Sequence, residues 1–134
     1  MLKRAALAVR AGIPFIATNP DPTLPVEEGL VPGVGAILAA ITTASDVRPT
    51  VIGKPNRTII DLALSRLGVP AAQCAILGDR LDTDIVGGRR AGVRTVLVLS
   101  GSTTPEDASA SDIHPDIIAS DLPALIRMWE DAHA

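Results

Sequence analysis

Apolar positions along this chain change period repeatedly, from helical spacing to short unbroken runs and back. Leu2 to Ala11 reads as an amphipathic helix stopped by Gly12, and Ile13-Pro14-Phe15-Ile16-Ala17-Thr18 as an apolar strand with its proline near the start. Residues 19–32 hold four prolines, at 20, 22, 25 and 32, a composition that argues against regular structure and predicts a shaped surface loop. Gly33-Val34-Gly35 then opens a helix through about Ala44, Pro49 to Ile52 makes a short strand, and Gly53-Lys54-Pro55 turns into a helix over about 56–67. Ile59, Ile60, Ala63, Leu64 and Leu67 form the stripe this last helix is expected to bury. Gly68 suits a left-handed helix terminus, and Pro70 prevents continuation. Cys74 to Leu77 is a strand, Asp82 to Ala91 a helix ended by Gly92, Thr95 to Leu99 and Asp116 to Ala119 two further strands, and Leu122 to Asp131 a closing helix. Strands and helices alternate throughout, which predicts a parallel α/β fold.

Composition narrows the partners. At 134 residues the chain is one domain by length, and 47% hydrophobic residues suffice for a globular core. That core must be aliphatic, because Phe15 and Trp129 are the only aromatics, and stacking platforms for bases are therefore lacking. The balance of 12 Lys+Arg against 15 Asp+Glu gives a net charge of −3, and no basic run marks a phosphate-backbone footprint, so no nucleic acid partner is expected. The basic start Met1-Leu2-Lys3-Arg4 is interrupted by Arg10 and Gly12 before an apolar segment of signal-peptide length forms, and no stretch approaches the roughly 18 residues of a membrane span. No membrane association and a cytoplasmic location are the expectations. Cys74 has no second cysteine to pair with and reads as a buried structural thiol.

The chemistry concentrates in Gly78-Asp79-Arg80-Leu81-Asp82-Thr83-Asp84-Ile85, where the aliphatic run Ala75-Ile76-Leu77 delivers three carboxylates to a strand-to-helix junction. Ligands of open parallel sheets bind beyond the carboxyl ends of strands. Clustered carboxylates there can hold Mg²⁺ through one or two oxygens, with water and phosphate completing the shell. Asp82 or Asp84 could equally stabilise a helix first turn by about 0.3–1 kcal/mol with no metal, and the residues alone leave both readings open. Lys54 also follows a short strand, with its backbone fixed by Gly53 and Pro55, and could neutralise a phosphate in the same region or simply face solvent.

Five segments in order carry a resemblance: Thr18-Asn19-Pro20-Asp21; Gly29-Leu30-Val31-Pro32-Gly33-Val34-Gly35; Val51-Ile52-Gly53-Lys54-Pro55; Gly78 to Ile85; and Ala91-Gly92-Val93-Arg94-Thr95 through Gly101. Together they resemble the NagD-like or p-nitrophenylphosphatase branch of the haloacid dehalogenase (HAD) superfamily. The resemblance implies a three-layer Rossmannoid parallel sheet, present incompletely, with the second half of an α/β cap over residues 1–48 and the second half of the core over 49–134. It implies a Mg²⁺-dependent phosphatase of small phosphorylated metabolites. Lys54 matches the catalytic lysine that contacts the phosphoryl group, Asp79 the metal ligand, and Asp84 the accompanying acid that completes or orients the metal site. Asn19, Asp21, Thr23 and Leu24 match the cap segment that chooses the substrate, although Asn19 and Asp21 could instead satisfy a tight proline turn. Asp82 falls where the family pattern is open and reads as a helix N-cap or rim charge. Gly33 to Gly35 could hold an anion at a helix start or serve helix-entry packing; Gly87-Gly88 reads as close packing, and His114 and His133 as surface or turn residues.

One departure is large. The sequence contains no Asp-x-Asp-Gly run, which in these phosphatases supplies the attacking aspartate and the general acid two residues later. The second motif, a Ser/Thr-Asn run that contacts phosphoryl oxygens, is also missing, since Thr18-Asn19 matches the cap segment instead. Met1 aligns within the last part of the cap, so the chain reads as a truncated copy. Two other readings stand beside the enzyme: a non-catalytic phosphate- and metal-binding module, or one half of an enzyme complemented by a second chain. Loss of a central strand would leave unpaired edges and open apolar faces, so the isolated chain is expected to aggregate, dimerise or rearrange.

Overall fold

In the computed structural model, residues 1–132 are described, and they form two compact units that divide between Gly53 and Lys54. The first contains α1 (Leu2–Arg10), β1 (Ile16–Ala17), β2 (Thr23–Val26), β3 (Gly29–Pro32), α2 (Val34–Ser45) and β4 (Thr50–Val51). β1 and β4 pair in parallel with Ile16 opposite Thr50, and bonds from the Thr50 amide to Phe15 and from the Ile52 amide to Ala17 extend the ladder. The strand after Pro49 thus pairs with β1 inside the first unit. Helices α1 and α2 pack together and bury Ala6, Val9 and Ile41, and Arg10 Nε caps the pair by donating to the Ala44 carbonyl at 3.0 Å.

Residues 23–32 are not irregular. They form an antiparallel hairpin, β2 on β3, with Leu24 opposite Val31, Pro25 opposite Leu30 and Val26 opposite Gly29 across Glu27-Glu28. Opposed pairs in an antiparallel ladder alternate between hydrogen-bonded and non-hydrogen-bonded types. Pro25–Leu30 and Thr23–Pro32 lie two positions apart, so both prolines occupy pairs of one type, whose amides point away from the partner strand. The prolines therefore cost the ribbon no ladder bonds.

The second unit contains α3 (Thr58–Leu67), β5 (Ala75–Gly78), α4 (Val86–Ala91), β6 (Arg94–Val98), α5 (Pro105–Ala110), β7 (Ile117–Ala119) and α6 (Leu122–Asp131). Its strands form a parallel sheet in the order β5-β6-β7, so both units show the parallel α/β pairing that the alternation predicts. Central strand β6 supplies the core: Thr95, Val96, Leu97 and Val98 are buried, against Ile85, Ala91, Val93 and Ala119. The Thr95 hydroxyl is satisfied by Asp116, donating to Oδ2 at 2.7 Å and accepting from the Asp116 amide at 3.0 Å. Side chains alternate across the sheet. Ile76 lies toward α3, whereas Leu77, Val96 and Ile117 lie toward Leu125 and Trp129 of α6. A Cβ on Gly88 would overlap Ile76 and Thr95, so this glycine lets α4 lie close on the sheet. Gly68 and Gly92 end α3 and α4 with positive φ of 68° and 75°.

Three expectations are corrected here. The α3 stripe is not buried: Ile59 is 46% and Leu67 68% exposed, and Ile59, Ile60, Ala63, Leu64 and Leu67 instead wall an apolar groove of about 410 Å³ beside β5. β5 is an edge strand of its sheet, so among the described residues nothing in this unit covers that side of α3. The helix expected over 82–91 begins with a wide turn at Leu81–Ile85 whose ring is one residue larger than α-helical. Cys74, expected to be buried, is half-buried on the groove. No helix among the described residues is long and apolar enough to cross a membrane.

Candidate active site

β5 ends at Gly78, opposite Leu97 of β6, so the segments that follow these two neighbouring strands emerge side by side. Asp79 follows β5 directly. The wide turn at 81–85 brings Asp84 back beneath it, where Asp84 Oδ2 accepts from the amides of Asp79 and Arg80 at 3.2 and 3.1 Å. A Cβ on residue 78 would overlap the Asp84 carboxylate, which explains the glycine there. Asp84 Oδ1 accepts from Lys54 Nζ at 2.5 Å, and the side chains of Asp84 and Lys54 are 5% and 47% exposed. A carboxylate this buried is stable only with such partners, and Asp84 has three. Lys54, by contrast, keeps an open flank and donor capacity beyond the Asp84 bond.

Asp79 is held differently. Its Oδ2 accepts from the Ser102 amide at 2.7 Å, and its main-chain carbonyl accepts from the Thr103 hydroxyl at 2.6 Å and the Thr103 amide at 3.1 Å. Hydrogen bonds from the backbone and side chain of Ser102 hold the half-buried Asp79 carboxyl below the usual carboxylate range, so it is ionised at neutral pH. The structure therefore joins Lys54, Asp84 and Asp79 into one constellation at the carboxyl end of β5. Sequence reasoning missed Ser102 and Thr103. The signal was available, since they follow the strand next to β5 and parallel neighbours deliver their trailing loops to the same edge.

The remaining candidates fall elsewhere. Asp82 is exposed and pairs with Arg80 at 3.1 Å; it caps no helix, and the rim-charge reading holds. Among the described residues no three His, Cys, Asp or Glu side chains come together as a group able to hold a metal ion. Asn19, Asp21, Thr23 and Leu24 belong to the first unit. Asn19 Oδ1 accepts from the Asp21 amide at 3.2 Å, the local turn bond a proline-flanked Asn makes, while Thr23 and Leu24 are exposed on β2. The amides of Gly33 and Gly35 are bonded to the carbonyls of Pro22 and Asp21, and Cβ atoms there would overlap that same backbone. Packing, not anion binding, explains those two glycines. His114 is exposed, and His133 lies outside the described residues.

Comparison with known proteins decides the family. The HAD-hydrolase-like family model matches residues 51–125, from the end of β4 into α6, which includes Lys54, Asp79 and Asp84. The chain belongs to the HAD-like hydrolases. Within that family it is 40% identical over 129 residues to an acid sugar phosphatase of Staphylococcus epidermidis, covering 96% of this chain and 50% of the relative. Among solved structures, the 4-nitrophenylphosphatase of Thermotoga maritima is 41% identical with a TM-score of 0.84, covering 94% of this chain and 49% of that one. The glycerol phosphate phosphatase of Mycobacterium tuberculosis, solved in complex with magnesium, is 44% identical with a TM-score of 0.80, over 92% of this chain and 38% of that one. These relatives place the chain in the NagD-like, p-nitrophenylphosphatase branch of the HAD family, and it spans about half the length of the curated relatives it matches.

Proposed function

We propose that this chain supplies the lysine, metal and substrate-selecting parts of a Mg²⁺-dependent phosphatase acting on small phosphorylated metabolites such as sugar phosphates. The observation that carries the reading is the linked set Lys54–Asp84–Asp79 at the end of β5. Lys54 has an ammonium with three donors, one of them spent on Asp84, and the others suit phosphoryl oxygens. Asp79, kept ionised by Ser102, offers the hard oxygen that Mg²⁺ takes, so the residues fit the metal as part of a shell that water and phosphate complete. Bound there, Mg²⁺ supplies positive charge against the phosphoryl oxygens. Asp84, with both oxygens engaged, orients Lys54 and the Asp79 backbone. Asn19, Asp21, Thr23 and Leu24 are assigned to substrate selection on the strength of the family resemblance, which reads residues 1–48 as the second half of the cap and 49–134 as the second half of the core.

No Asp-x-Asp-Gly run occurs in the sequence, so the reading gives these residues binding and charge neutralisation, not nucleophilic attack. A second reading is that these residues bind metal and phosphate without turnover, or work with a complementing chain. Phosphate release from p-nitrophenyl phosphate, measured with and without Mg²⁺ beside an Asp79→Asn control, separates the two. Mg²⁺-dependent turnover lost in the control supports the phosphatase; no turnover in either supports the binding module.

A further inference from the structure

We infer that Thr103 is a positioning residue for Asp79, clamping the strand-end aspartate from the loop of the neighbouring strand. The inference rests on the reading of Asp79 as the metal-binding carboxylate. Thr103 is 7% exposed, and its two donors, amide and hydroxyl, both go to one acceptor, the Asp79 carbonyl, at 3.1 and 2.6 Å. The same loop closes on the side chain, where the Ser102 amide donates to Asp79 Oδ2 at 2.7 Å and a Cβ on Gly101 would overlap the carboxylate. Asp84 meanwhile holds the Asp79 amide. The amide, carbonyl and carboxylate of residue 79 are thus each tied, the last two to consecutive residues of one turn.

A hydroxyl at 103 has a specific consequence. Its bond fixes the spacing between the two loops, and that spacing sets where the Ser102 amide meets Oδ2 and which way the carboxylate faces. Removing the outer partner of a metal-binding group typically costs 10–100-fold in metal affinity. Valine keeps the shape of threonine and deletes the donor; serine keeps the donor and deletes the methyl.

The test compares wild type with Thr103→Val and Thr103→Ser by amide hydrogen exchange and by NMR titration with Mg²⁺ alone. In Thr103→Val the Ser102 amide is expected to lose protection while the Arg80 amide, bound to Asp84, keeps its own, and Mg²⁺ affinity falls about 10-fold. Thr103→Ser restores both. Unchanged Ser102 protection in Thr103→Val, or equal loss of protection at Ser102 and Arg80, overturns the clamp. So does an Mg²⁺ affinity that is unmoved in Thr103→Val while wild type binds. Absence of Mg²⁺ binding by wild type instead overturns the metal reading of Asp79, and the exchange pattern still decides the clamp.

Discussion

Replacing Asp84 by alanine removes an acceptor shared by three donors. Two are the backbone amides of Asp79 and Arg80, at 3.2 and 3.1 Å, and the third is Lys54 Nζ at 2.5 Å. An amide left unpaired in a half-buried turn costs about 1–2 kcal/mol. Lys54 is 47% exposed and can turn to water, so its loss counts as a surface pair at about 0–1 kcal/mol. Asp84→Ala should therefore destabilise the second unit by about 2–5 kcal/mol, a large share of the 5–15 kcal/mol typical of a domain. Lys54→Met removes the cation but leaves the carboxylate on its two amides, and should cost less than half as much. Urea unfolding followed by Trp129 fluorescence reads this directly, because the sole tryptophan lies in the same unit. A loss under about 1 kcal/mol in Asp84→Ala, or an equal loss in Lys54→Met, would refute the assignment of Asp84 as the organising acceptor.

Other outcomes follow from single positions. Gly88→Ala should cost about 1–3 kcal/mol through overlap with Ile76 and Thr95, whereas Gly87→Ala, whose Cβ meets its nearest neighbours at 3.5 Å, should be neutral or gain up to about 1 kcal/mol of helix propensity; thermal unfolding of the pair shows the contrast. Hydrogen bonds from the side chain and then the backbone of Thr95 lower the pKa of Asp116. A depressed carboxyl contributes stability above its unfolded value of about 3.9, and that contribution is lost as pH falls through the lower folded value. Asp116→Asn should therefore show a shallower loss of stability than wild type between about pH 4 and pH 2, measured as unfolding midpoint against pH. Thr104→Ala opens the capping box of α5, in which Thr104 Oγ1 accepts from the Asp107 amide at 3.1 Å, so the Asp107 amide should lose exchange protection while β6 keeps its own.

Much of this was legible in sequence because local signals agreed with the final contacts. Leu122–Asp131 is helical over the expected residues, and Gly68 and Gly92 stop helices where their positive φ is needed. The hairpin at 23–32 was hidden because a proline count says nothing of pairing register, and only the register shows that Pro25 and Pro32 avoid the ladder. Helix α5 was missed although Thr104-Pro105-x-Asp107 is a capping-box start with proline at N1. The apolar stripe of α3 was found correctly, but its burial was not, since periodicity identifies a face and not what covers it. For the candidate site, spacing and resemblance singled out Lys54, Asp79 and Asp84, which the structure links through Asp84. The inward turn of Asp84 and the clamp by Ser102 and Thr103 were not, because they depend on which strands are neighbours.

The central claim is that Lys54 and Asp79 serve one phosphate-and-metal site, and binding tests it whether or not the chain turns over substrate. Isothermal titration of inorganic phosphate, with and without Mg²⁺, in wild type, Lys54→Met and Asp79→Asn is the most direct measurement. The account predicts Mg²⁺-dependent phosphate binding in wild type and its loss in both variants. Phosphate binding that ignores Mg²⁺ and survives both substitutions would contradict it.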